Sequence, residues 1–346
     1  MIVVTLMDVA ARAGVSRSTA SLVINKSPLV KDETRLKVEA AIQELGYVPN
    51  TNARGLVKRE NKSFGVIIAI EDQPYNTYEY NYETGLYSYN ITNGIPIGLA
   101  NTDYGLLTER FCCSTANGEL PALVRNNRVD GIFLVGGLFT PDLLGALKSK
   151  NIPIIAIGRY YDQLDSVSTD VSQGVYLGVR HLLEKGHRNI CYINCPKIYR
   201  SNADRAAGAQ RAMREYHAEM KDSWMVYCRH NTGEGGYEAM KALWESGARP
   251  DAVAAANEPI ALGVMRFLYE KNIRIPDDIS VVGYEDSVLG GYAVPALTSV
   301  NIQKEYMGEL AAQIMLKRIS SQGPDNGWEH IIVQPNLVVR NSVRER

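Results

Sequence analysis

The chain has 346 residues, 45% of them hydrophobic and 22% charged, with a formal net charge of −1. That length exceeds a typical single domain and points to two or three compact units of ordinary soluble, globular composition. No apolar run has the length of a membrane span, and the apolar start Met1–Leu6 is too short for a secretory signal, so a cytoplasmic protein with no membrane partner is expected. A near-neutral total does not exclude nucleic acid, because the local charge of a reading domain is what matters. Residues 1–60 carry nine Lys/Arg against six Asp/Glu, a local balance of +3, which supports such a partner only weakly.

The first sixty residues read as short helices. Leu6–Ala13 has apolar positions at Leu6, Val9, Ala10 and Ala13, with Thr5 as the N-cap and Gly14 as the stop. Val15 enters a tight turn, and Ser16 caps a second helix over Arg17–Ile24. Asn25-Lys26-Ser27-Pro28 is a loop. A third helix runs over Lys31–Leu45, with Leu36, Val38, Ala41, Ile42 and Leu45 apolar and Gly46 at its end. Pro49 disfavours helical geometry at Val48. Asn50 can cap a short further stretch, Thr51–Val57, before the charged linker Lys58–Lys62.

From Ser63 onward the pattern alternates. Strand-like apolar runs are Phe64–Ile70, Gly131–Val135, Pro153–Ile157, Ile190–Ile193, Ala252–Ala256 and Ile279–Gly283. Helix-length segments lie between several of them: Ser172–Glu184, Asp204–Glu215, Gly236–Glu245 and Pro259–Lys271. This is the signature of βαβ units and parallel sheets, with too many strands for one sheet, so two doubly wound lobes are expected. Lys304–Ile319 is an amphipathic helix, followed by Ile331–Val333 and Leu337–Val339. The five cysteines are an odd number without framework or metal spacing, Cys191 and Cys195 included, and read as reduced core thiols.

The densest motif is residues 5–56. Its elements are Asp8-Val9-Ala10, Ala13-Gly14-Val15-Ser16, Thr19, Ser21, Asn25, Val30, Thr34-Arg35, Ala41-Ile42, Glu44-Leu45-Gly46-Tyr47, Pro49-Asn50, Ala53 and Leu56. This segment resembles the N-terminal domain of the lactose-repressor (LacI/GalR) family of bacterial transcription regulators. The resemblance implies an N-terminal all-α helix-turn-helix domain plus an α/β two-lobed, periplasmic-binding-protein-like sensor. The boundaries read as 1–49 for the helix-turn-helix domain, 50–60 for a hinge helix and linker, and 61–346 for effector binding and dimerisation. Within the last, one lobe is expected over about 61–161 and 293–323, the other over about 162–292 and 324–346.

Helix, Ala-Gly-Val turn and helix lay the second helix across the first, with Val9, Ala10, Val15 and Val23 between them. Its N-terminal residues then face base edges in a major groove. Arg17 is the candidate for a bidentate guanine contact, with a phosphate contact as the alternative, and Ser18 sits beside it. Thr5, Ser16, Thr19, Ser21, Asn25 and Thr34 are small polar residues suited to caps and phosphate oxygens. Leu22 stands where family members often have Arg. It either meets a thymine methyl or packs on the third helix. The resemblance makes Asn50–Val57 a hinge helix that folds on the operator, with Leu56 wedged into the minor groove and Ala53 letting two hinge helices touch. Gly55 weakens that helix, and a plain linker is the alternative.

The resemblance continues through Gly186-His187-Arg188, Asp204–Gly208, Ala256-Asn257-Glu258, Ile275–Asp286, Pro295–Thr298 and Leu337–Ser342, and is poor over Glu71–Leu120. It implies a small effector between the lobes, beyond the carboxyl ends of the strands. Arg205, Asn257 and Glu285 are its candidate contacts: a donor fork, an amide and a carboxylate for a sugar's hydroxyls. Glu285 departs from the family's usual Asp. Tyr75 and Arg159 follow strands and are further candidates, while the other tyrosines of Tyr78–Tyr89 read as packing or surface. A sugar is the expected effector class and a purine or other small molecule the alternative. The expected partners are operator DNA and a second copy of the chain, with no cofactor and no metal.

Two other classes compete. An α/β enzyme would need a Gly-rich phosphate loop, a nucleophile elbow or a metal-spaced His cluster, and none is legible. His181 and His187, near a helix end, read as capping and packing. A secreted sugar-binding protein would need a leader and no reading domain.

Overall fold

The computed structural model of the chain describes residues 4–24, 27–47, 61–70, 78–113, 118–136, 139–219, 221–320 and 327–346; the side chains of 78–84 and 222 lie outside the description. The chain divides into two units, Met1–Asn61 and Lys62–Arg346, one residue from the expected boundary. The expected hinge helix, with Asn50, Ala53 and Leu56, lies outside the described residues, as do Asn25 and Tyr75.

In the first unit, α1 (Leu6–Ala13) starts where its free backbone donors find partners. Thr5 Oγ1 accepts from Asp8 N at 3.4 Å, and the Asp8 carboxylate accepts from Thr5 N at 2.7 Å, a reciprocal capping box. Gly14 ends the helix in the left-handed conformation, φ 67°. In the turn, Ser16 Oγ accepts from Thr19 N at 3.1 Å and so caps α2 (Arg17–Ile24). α3 (Asp32–Leu45) begins one residue later than the pattern suggested, with Lys31 at its N-cap. Val9, Ala10, Ala20, Val23, Val38 and Ala41 form the core, with Val15, Ile42 and Leu45 packed against it. Leu36 is the exception among the expected apolar positions of α3: it is 66% exposed. At about 100° per residue it points away from the face shared by Val38, Ala41, Ile42 and Leu45.

In the second unit the first elements are β1 (Ser63–Ile70), α4 (Tyr78–Gly98), β2 (Gly105–Cys112), α5 (Ala122–Arg125), β3 (Gly131–Val135), α6 (Pro141–Lys148), β4 (Ile154–Ile157) and β5 (Asp165–Thr169). Next come α7 (Val171–Glu184), β6 (Ile190–Asn194), α8 (Asn202–Glu215), β7 (Met225–Tyr227), α9 (Gly233–Glu245), β8 (Ala252–Ala255), α10 (Glu258–Glu270), β9 (Ser280–Tyr284), α11 (Val288–Tyr292) and β10 (Thr298–Asn301). α12 (Lys304–Ser320), β11 (His330–Val333) and β12 (Asn336–Val338) close the chain.

These strands build two six-stranded sheets, in the orders β11-β5-β4-β3-β1-β2 and β12-β10-β9-β8-β6-β7. All neighbours run parallel except β12, which is antiparallel to β10. β3, β4, β6, β8 and β9 are buried along their whole length, as parallel strands covered by helices on both faces must be.

The lobe boundaries differ from the expected ones in three places. β5 was placed in the second lobe but pairs with β4 of the first, and Asp165 at its start takes two bonds from Arg318 of α12, at 2.8 and 2.6 Å. β10 was placed in the first lobe but pairs with β9 of the second. β11 was placed in the second but pairs with β5. The chain therefore crosses between lobes at about 170, 302 and 335. Strand pairing decides this, at short range for β5 and β10 and across the chain for β11. The terminal segment is built into the second lobe: Ser342 Oγ donates to Val281 O at 2.6 Å and accepts from Thr298 N at 2.8 Å.

Candidate nucleic-acid interface and ligand cleft

On α2, Ala20 and Val23 face the core. The opposite side carries Arg17, Ser18, Ser21 and Leu22, which at helical spacing share an arc of about 140°. Arg17, Ser18 and Leu22 are exposed and Ser21 is half-buried. Leu22 is 41% exposed and absent from the buried core of this unit, which favours the outward of its two readings. Ser16 joins its neighbours through 2.8 Å contacts of its Oγ with Ser18 Oγ and Thr19 Oγ1. Thr5 is held at the start of α1 by Asp8, and Thr34 sits half-buried in the first turn of α3. A helix bound to its own core on one side and presenting a cation, hydroxyls and one methyl-rich side chain on the other has the donors for phosphates and base edges.

In the second unit, strand ends carry the polar residues. Arg205, in the first turn of α8, is 8% exposed. Its Nη1 donates to the Ala256 carbonyl at 2.6 Å, and its guanidinium carbon lies 4.7 Å from the Tyr284 ring centre. Burial opposes its charge, but Cys195, Tyr192, Tyr284 and Glu285 around it hold its pKa above the usual value. Arg205 Nε and the Tyr284 hydroxyl are buried without a hydrogen-bond partner among the described residues. Both groups keep hydrogen-bonding capacity that the described residues do not use.

Glu285 follows β9 with φ 98°, and Asp286 has φ 47°, both on the left-handed side that non-glycine residues rarely adopt. Burial pushes the Glu285 carboxyl up, Lys304 and Arg205 pull it down, and Glu258 raises it. A cavity of about 60 Å³ adjoins Glu285, lined also by Leu86, Glu258, Pro259 and Leu289.

The structure brings Arg205 and Glu285 together. Asn257 is already occupied: Oδ1 caps α10 by accepting from Ile260 N at 2.9 Å, and Nδ2 donates to Asn231 Oδ1 at 2.7 Å. One Nδ2 hydrogen is left for a ligand. Arg159 is half-buried with its guanidinium 5.3 Å from the Tyr161 ring centre, and of the candidates only Glu285 lines the cavity, not Arg205, Asn257 or Arg159.

Three participants were not legible. Tyr284 stacks on Arg205, but in sequence it stands only within the Ile275–Asp286 signature, just past the strand-like run. Glu258 accepts from Ser287 N at 2.7 Å. Tyr87 packs on the core, as the packing reading of that run expects, and also reaches the cluster from the other lobe. Burial first, then Glu285 and Tyr284, push its pKa up, and a Cβ on Gly158 would overlap its hydroxyl. The tyrosine-rich run was the available signal, but choosing one ring from it needs the lobes assembled. Among the described residues no group of three or more His, Cys, Asp or Glu could hold a metal, and no helix is long and apolar enough to cross a membrane.

Comparison with known proteins identifies the family of both units. Residues 5–50 match the family described as bacterial regulatory proteins, lacI family, and residues 179–343 match the periplasmic binding protein-like domain. The chain is 34% identical to the HTH-type transcriptional repressor PurR of Serratia proteamaculans (strain 568), over 99% of this chain and 97% of that protein. The PurR of Proteus mirabilis (strain HI4320) is also 34% identical, with the same shares of each chain. A structure of the lac repressor dimer bound to operator and the anti-inducer ONPF superposes with a TM-score of 0.80 at 26% identity, covering 99% of each chain. The regulator CelR in complex with cellobiose gives 0.71 at 29% identity, covering 98% of this chain and 99% of that one. The chain belongs to the lacI family of bacterial regulatory proteins, and is a DNA-binding, ligand-responsive regulator of transcription.

Proposed function

We propose that the chain represses transcription as a homodimer that binds a pseudo-palindromic operator, with a sugar in the cleft beside Arg205 and Glu285 shifting operator affinity. The observation that carries this reading is the orphaned donor of Arg205 beside the Glu285 carboxylate and the Tyr284 ring. A donor fork, an acceptor and an aromatic face together suit a polyhydroxylated ring. Two copies of α2 would enter successive major grooves, with Arg17, Ser18 and Leu22 at base edges and Thr5, Ser16, Thr19, Ser21, Asn25 and Thr34 on the backbone. Asn50, Ala53 and Leu56 would form the hinge that folds on the operator. Ligand and DNA then change each other's affinity by the same factor.

The second reading is a purine-responsive repressor, supported by the whole-length likeness to the PurR repressors. A melting-temperature screen of the full chain against mono- and disaccharides and purine bases separates the two, since a ligand of the folded state raises the melting temperature. Binding to duplexes selected from a random pool, followed as salt rises, tests the DNA assignment. A reader of this kind loses affinity steeply through counterion release. A chain with no preference over random competitor, with or without the ligand found in the screen, is not an operator-binding repressor.

A further inference from the structure

Lys304 opens α12, directly after the second crossing between lobes. It is 6% exposed, and a lysine is almost never buried so far without a partner. Its partner is the main-chain carbonyl of Glu285, which accepts from Nζ. The same ammonium stands in the field of two buried carboxyls that burial pushes up: it is foremost in pulling Glu285 back, and at Glu258 it acts behind the two hydrogen bonds from Ser287. We propose that Lys304 is a positioning residue for the cleft, holding the Glu285 main chain in its turned conformation and adding a cation to the surroundings of Glu285 and Glu258.

The turned backbone supports this. Glu285 and Asp286 both have positive φ, a state that persists only where its surroundings hold it. Asp286 is held on one side: its N–H donates to Ser299 Oγ at 3.1 Å, and its carboxylate meets Asn301 Nδ2 at 2.9 Å and Arg340 Nη2 at 2.7 Å. Lys304 holds the other side, through Glu285. Because α12 packs on the first lobe while β9 belongs to the second, this bond spans the lobes. The charged and titratable groups around it are Arg205 from α8, Glu258 from α10, Tyr284 and Glu285 at the end of β9, the Asp286–Arg340 pair, Tyr87 from α4 and Glu305 beside it on α12. That Glu285 so held would meet a ligand rests on the effector reading above; the bond and the charge balance do not.

The test is thermal melting of the full chain without ligand across about pH 5 to 8. In Lys304→Met both carboxyls lose one of the groups that pull them down, Arg205 remaining beside Glu285, and the folded state holds protons more tightly than it does in the wild type. The variant should therefore lie nearest the wild type at acid pH and fall behind as pH rises, with a melting-temperature deficit at the alkaline end about twice that at the acid end. Lys304→Arg should keep the wild-type pH profile, and Lys304→Met/Glu258→Gln should lose most of the added slope. A side chain that only fills space gives a deficit independent of pH, which would overturn the proposal. If Lys304→Met does not fold at the alkaline end, folding of the double variant there supports the proposal, and its failure overturns it. No ligand enters these melts, so their outcome is independent of the ligand screen.

Discussion

Arg205 and Tyr284 pair face to cation, the guanidinium carbon 4.7 Å from the ring centre, with Nη1 fixed on Ala256 O at 2.6 Å. The plane of the guanidinium is thereby set before any ligand arrives, and Nε remains without a partner. Preorganised donors lose little freedom on binding.

Arg205→Ala should abolish the ligand's effect on the operator while leaving operator binding itself in place. A hydrogen bond from a charged group is worth about 1.5–3 kcal/mol, so ligand affinity should fall about 10–100-fold. Arg205→Lys should lose nearly as much, because a lysine has neither the plane nor the fork. Calorimetry with the screened ligand checks both, and an unchanged response removes Arg205 from the site.

Leu22→Ala should leave the stability of the first unit within about 0.5 kcal/mol of the wild type, because the side chain is exposed. Selection from randomised duplexes should instead relax at one base pair in each half-site, by about 1 kcal/mol. Unaltered selection together with a clear stability loss would return Leu22 to a packing role.

Gly158 has φ 90°, and a Cβ there would strike the Tyr87 hydroxyl. Gly158→Ala should cost about 1–3 kcal/mol through backbone strain and the displaced ring. Tyr87→Phe in the same chain should recover the part due to overlap and leave the part due to φ. Denaturant melts of both variants measure the split; no recovery would mean that the Tyr87 hydroxyl does not sit against Gly158.

Asp251 accepts from Arg188 N at 3.3 Å and Asn189 N at 3.2 Å, and lies 3.2 Å from His187 Nδ1. Burial raises its pKa, but the His187 bond and the two backbone donors outweigh burial and hold it below the usual value. A depressed folded value means stability present above the unfolded pKa and lost as pH falls through the folded one. Acid melts should therefore show a loss below about pH 4 that Asp251→Asn no longer shows, the variant being less stable at neutral pH. Parallel acid profiles for the two chains would contradict this.

Local chemistry made much of the fold legible. The Thr5 cap, the Gly14 and Gly46 stops and the apolar spacing of α1 to α3 act within a few residues, so the three helices stand within one residue of where the pattern places them. Buried runs such as Gly131–Val135 identify strands for the same reason. Arg205 and Glu285 were found through a resemblance, and the fold brings them together.

The remainder depended on tertiary partners. Which lobe takes β5, β10 or β11 is a matter of which strand each one pairs with: β5 and β10 join strands that stand close before them in sequence, while β11 joins one far back, as in the register of His330 against Ser166. Tyr87 and Lys304 carry no local mark, since a tyrosine in an aromatic run is read equally as packing or surface and a lysine at a helix start is ordinarily exposed. Their roles arise because two lobes close over them and exclude water, and only then does an ammonium or a phenol answer to the charges opposite.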